Sequence, residues 1–131
     1  MQIFRQITKV ALLVLLSSST VMALDVPEYY DLDIKAMEMT LEGSKERLSC
    51  MQNACPLEEQ YAIDDRVQKQ IETLYENAGT TPSKHIGFYT RNVKEAKAYY
   101  DNNPTLQERY RTLIDEIEAI NSQLKVIMEA E

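Results

Sequence analysis

Apolar side chains recur at alternating spacings of three and four through most of the chain after residue 30, the period of helices with one buried face. The clearest stripe is Leu106, Tyr110, Leu113, Ile117, Ile120, Leu124 and Ile127. It opens at Asn103-Pro104, an N-cap residue followed by a proline preset for the first helical turn. The spacing predicts a helix of about 25 residues with a narrow apolar seam. Thr81-Pro82 is a second opening of the same kind, and Ile86, Tyr89, Val93, Ala96 and Tyr100 continue it until Asp101-Asn102-Asn103. Gly87 weakens the first turns by about 1 kcal/mol relative to alanine and predicts a late start. Pro56 opens another helix, with Glu58 and Glu59 in the turn where the helix dipole favours them. Its stripe is Ile63, Val67, Ile71, Leu74 and Ala78, and Gly79 is its stop. Before it, Ile34, Met37, Leu41, Leu48 and Met51 share a face that Gly43 and Ser44 interrupt, with Val26-Pro27 expected outside.

Four helices joined by links of about five residues or fewer predict antiparallel neighbours. The expected fold is all-α: an up-down-up-down helical bundle of about four helices. Tyr, Met and Ala occupy seam positions that tighter bundles give to Leu, which implies a thin core with Met filling irregular gaps.

The first twenty-three residues break this pattern and read as an export leader. Arg5 and Lys9 precede an unbroken apolar run, Val10 to Leu16; a polar shoulder follows, and Val21-Met22-Ala23 has the small-residue character of a cleavage site. The apolar run is too short to span a bilayer, which takes about 20 apolar residues. Residues 1–23 are therefore expected to be a cleaved signal peptide, and 24–131 a single α-helical domain, periplasmic or secreted and without stable membrane insertion. Leu24 at the cut gives no lipid-modified cysteine, and no Arg-Arg pair signals the twin-arginine route.

Removal of the leader deepens the charge from −7 to about −9. Such an acidic surface disfavours nucleic acid and anionic membranes. Export also decides the reading of the only two cysteines, Cys50 and Cys55. In an oxidising compartment they are expected to pair. Five residues of continuous helix separate alpha carbons by about 8 Å, beyond disulfide reach. The chain must therefore turn at residues 51–54, where Pro56 already pushes Cys55 out of the helical region. A redox role lacks the Cys-x-x-Cys spacing that tunes a thiolate. Metal ligation lacks a cluster of soft ligands, His85 being the only histidine.

No catalytic constellation is legible. His85 has no Ser or Cys nucleophile partner, there is no glycine-rich phosphate loop, and the neighbours Glu58-Glu59 and Asp64-Asp65 diverge by about 100° on a helix. Met37 and Met39 read as core and rim and not as a copper site. No enzyme activity, cofactor or metal is expected. The third helix differs from the others in carrying four cations, Lys84, Arg91, Lys94 and Lys97, against two carboxylates. It also holds Tyr99-Tyr100; this doublet and Tyr29-Tyr30 are each expected to turn at most one ring into the core. Lys94, Lys97, Tyr99 and Tyr100 are thus the candidate binding residues for a protein partner, and the expected role is that of a periplasmic accessory or chaperone-like factor. Two alternatives stand beside it. The acidic second and fourth helices would suit an inhibitor or immunity protein against a cationic cell-wall enzyme or toxin. The heptad-like final helix would suit structural self-association as a coiled coil, a homo-oligomer through that helix.

Overall fold

A computed structural model describes residues 24–130; the leader expected at 1–23 lies outside the described residues. All regular structure among them is helical. There are five helices: α1 (Val26–Gln52), α2 (Leu57–Asn77), α3 (Pro82–Arg91), α4 (Val93–Asp101) and α5 (Pro104–Glu129). None is long and apolar enough to cross a membrane.

Each boundary has a local cause. Asp25 caps α1 in a reciprocal capping box with Glu28, so Val26 and Pro27 lie inside the first turn and not outside the helix as expected. α1 ends where the Cys50–Cys55 disulfide, with alpha carbons 5.1 Å apart, forces the turn and Ala54 takes a left-handed φ of 52°. α2 stops at Gly79, φ 74°, whose amide bonds Glu76 O while Thr80 N bonds Tyr75 O, the paired bonds of a Schellman stop. Asn103 caps α5 by accepting from Leu106 N.

The third expected helix is two. Asn92 leaves the helical region at φ −125°, and its side-chain amide donates to Phe88 O at 2.8 Å. α3 begins at Pro82, so Gly87 does not delay it. The break re-aims the expected seam. Ile86 is 67% exposed, Val93 43% and Tyr89 also open; of the expected seam Ala96 is buried and Tyr100 half-buried, and His85 is buried in addition. Both short helices stay beside the first turns of α1: His85 Nε2 lies 3.0 Å from Tyr29 O, and Tyr30 Oη donates to Ala96 O at 2.7 Å.

α1 is the central element. One face receives α2, where Arg47–Asp64 and Glu46–Arg66 ion pairs fix an antiparallel register. Gly43, far from interrupting the helix, allows this approach, because a Cβ there would press into Val67. The opposite face presents Tyr30, Leu41 and Leu48, all buried, and α5 packs along it with Leu113 and Leu124 buried in turn. α5 starts next to Tyr30, with the Tyr110 ring 6.1 Å from Tyr30 and the Tyr100 ring 6.2 Å from it. Covering Leu48, about five turns further along α1, requires α5 to run in the same direction as α1. The strict alternation of the expected bundle fails at this point, because α3 and α4 fold back on the base and return the chain to the end where α1 began. α2 and α5 share no substantial interface. The result is a layer of three long helices with a short helical elbow, α3–α4, across one side of its base.

Candidate interaction face

The elbow is held to the layer by aromatic rings. Tyr29 stacks on His85 at 4.2 Å and lies against Phe88 and Tyr89, with Tyr75 of α2 tilted against His85 at 5.0 Å. A few ångströms away Tyr30 meets Tyr99, Tyr100 and Tyr110. Each doublet buries at most one ring, as expected. Tyr30 is buried, and Tyr29, Tyr99 and Tyr100 are all half-buried, because three elements converge here and adjacent residues find different neighbours. Tyr110 Oη donates to Asp33 at 2.6 Å, a pair 77 residues apart that no local pattern announces. Burial, then this hydrogen bond, pushes the Tyr110 phenol far above its ordinary range. Burial and the nearby Asp33 charge push Tyr29 up to about 12. The single histidine is 3% exposed and bonded to a backbone carbonyl, which is the environment of a packing residue.

The four expected binding residues are only partly brought together. Lys94, Lys97 and Tyr100 follow one flank of α4 at spacings of three, while Tyr99 turns to the other flank and stacks on Tyr30 at 5.6 Å. Lys97 is engaged by Asp101 at 2.6 Å. Lys94 is exposed and has no ion pair among the described residues. Lys84 and Arg91, also without ion pairs there, line a basal groove of about 870 Å³ with Glu28, Asp31 and Lys35. That groove mixes both signs of charge and holds no nucleophile–base pair. Cys50 and Cys55 lie near Glu59 in metal-like proximity, but the disulfide consumes the thiolates a metal would need.

Sequence reasoning missed the open side of the layer above the elbow. Each long helix carries a second heptad stripe on that side. On α1 it runs from Tyr29 and Asp33 at the base to Met37, Thr40, Ser44 and Met51. On α2 it runs upward from Tyr75 through Ile71, Gln68 and Asp64 to Tyr61 and Leu57, and on α5 from Gln107 and Tyr110 to Ile114, Asn121 and Met128. The basal part of each stripe meets the elbow, through Tyr29–His85, Tyr75–His85 and the bonds of Gln107 to Tyr100 O and Asp101 O. The upper part is bare. Leu57, Tyr61, Ile114 and Met128 are exposed, and a groove of about 350 Å³ runs between Thr40, Gly43 and Ser44 on α1 and Val67 and Ile71 on α2, down to Pro82. Comparison with protein-family models, curated proteins and solved structures finds no match.

Proposed function

We propose that the mature chain is an exported, non-catalytic helical protein that binds another protein through the elbow side of the layer, in the manner of a periplasmic accessory or chaperone-like factor. The observation that carries this reading is the clustering of exposed Ile86, Tyr89 and Val93 on the same elbow as Lys94, a cation with no ion pair among the described residues. Apolar anchors beside free charge are the composition of recognition surfaces. The disulfide agrees with an oxidising compartment, as the leader requires.

The test is site-specific photocrosslinking from position 90, exposed on the same elbow, in the native compartment, compared with the Ile86→Asp variant and with the alanine set at Lys94, Lys97, Tyr99 and Tyr100. A defined adduct that disappears in these variants supports the reading. An adduct pattern unchanged by them removes the elbow as a binding site. The inhibitor reading draws on a different feature, the carboxylates Glu58, Glu59, Asp65 and Glu76 of α2, exposed and without ion pairs among the described residues. It requires binding to a cationic target that weakens steeply with salt.

A further inference from the structure

The bare upper slot and the exposed elbow lie on one side of one molecule, and they are complementary. The slot is apolar along its floor, with Glu72 and Asp64, the latter paired with Arg47, on its α2 wall. The elbow carries Ile86, Tyr89 and Val93 exposed, and of its four cations Lys94 is the one that neither lines the basal groove, as Lys84 and Arg91 do, nor pairs along its own helix, as Lys97 does with Asp101. No cation lines the slot among the described residues. We infer that the occupant of the slot is a second copy of this chain: two layers stack face to face about a two-fold axis, and the elbow of each enters the slot of the other.

A two-fold interface must be self-complementary, the same patch serving as donor and acceptor. This face meets that condition, because the elbow fills the basal half and leaves the upper half empty. Turning a second layer by 180° places its elbow opposite the vacant half. The arrangement covers both unexplained apolar surfaces at once and brings Lys94 toward the acidic wall of the other copy.

The areas agree. Seven of the eight large hydrophobic side chains exposed among the described residues belong to this side: Leu57 and Tyr61, Ile86, Tyr89 and Val93, and Ile114 and Met128. Scaled by side-chain size they leave about 700–800 Å² open, close to the roughly 800 Å² each partner gives to a standard stable interface. The eighth, Val126, points away on the far side of α5 and supplies a control.

The inference names the partner of the face described under the proposed function and rests on that reading. Light scattering on size-separated mature protein, residues 24–131, is the experiment. The expected result is a dimer. Ile86→Asp on the elbow and Ile114→Asp on the α5 stripe of the same side each convert it to a monomer with unchanged helicity by circular dichroism, whereas Val126→Asp leaves it dimeric. Lys94→Glu raises the dissociation constant about tenfold, as a lost cross-interface charge pair does. A monomer up to about 100 µM, where a standard-sized interface is assembled, overturns the second copy while leaving the elbow open to a heterologous partner. A dimer that survives both Ile substitutions but is lost with Val126→Asp places the contact on the outer face of α5 and equally overturns it.

Discussion

Gly43→Ala is the sharpest probe of how α1 and α2 come together. In an exposed helix the change stabilises by about 1 kcal/mol through backbone entropy and propensity. Here the added Cβ falls inside the envelope of Val67 Cγ2 and 3.3 Å from Val67 Cβ and Cγ1. A helical valine is confined to one strongly preferred rotamer, so it cannot swing aside. The helices must separate, and overpacking of this kind costs about 1–3 kcal/mol. The expected net effect is a loss of up to about 2 kcal/mol, with a fall in Tm of about 4–8 °C per kcal/mol for a domain of this size. Val67→Ala alone costs about 1 kcal/mol for the two methyl groups of a half-buried side chain. The double variant removes the collision and keeps the propensity gain, so it should be no less stable than either single variant, with a coupling of about 2 kcal/mol. Urea unfolding of the four proteins measures this directly. Additive single effects, or a Gly43→Ala protein more stable than the parent, would refute the close approach.

Three further outcomes follow from the same structure. Tyr29 keeps its neutral form in the fold, so its stabilisation is intact below about pH 10, where a free phenol titrates, and is lost as pH rises through about 12; tyrosinate absorbance should show a late-ionising subset, Tyr29 and Tyr110 included, and a single transition near 10 for all rings would contradict it. Replacing Cys50 and Cys55 by alanine should cost about 2 kcal/mol, the chain-entropy value for so short a loop, measured by thermal unfolding against the oxidised parent. Ala54→Gly should raise stability by about 0.5–1 kcal/mol, because glycine accepts the 52° φ that a Cβ resists and returns only part of that gain to the unfolded chain; unchanged or lower Tm would show that the turn is not strained.

What could be read from the chain was what short-range chemistry decides. The α5 stripe is buried or half-buried at all seven expected positions, Leu106 to Ile127, since one uninterrupted period faces one neighbour. The disulfide turn followed from the expected pairing, helix rise and Pro56 together. The elbow was misread because Asn92 sits in a stripe whose spacing never falters; only the loss of a helical φ there turns Ile86 and Val93 outward. The candidate site was only partly legible, because long-range contacts decide which of its side chains are free. Tyr99 and Tyr100 are adjacent, yet both are held by Tyr30, a residue about 70 positions earlier, and Lys97 is occupied by a carboxylate one turn away. Direction in α5 was out of reach for the same reason: link length constrains neighbours in sequence, and its neighbour in space is α1.

The break at Asn92 is therefore the decision on which the architecture turns. An unbroken helix over 82–101 would be about 30 Å long, enough to run up most of α1, fill the slot and bring α5 back antiparallel. It would also bury Ile86 and Val93, worth about 1.5–3 kcal/mol each. Against that stand the Tyr29–His85 stack, the tilted Tyr75–His85 contact and the Tyr30–Tyr99 stack, each aromatic pair worth about 0.5–1.5 kcal/mol beyond its area. The Tyr30–Ala96 and Asn92–Phe88 hydrogen bonds add about 1 kcal/mol apiece. The two sides are of similar size. The folded-back form keeps its aromatic base and leaves aliphatic burial unrealised on a surface that a second molecule can cover. A partner docked on the elbow side recovers that burial without dismantling the base, which is why the exposed aliphatic side chains, more than the tyrosines, should carry the binding energy.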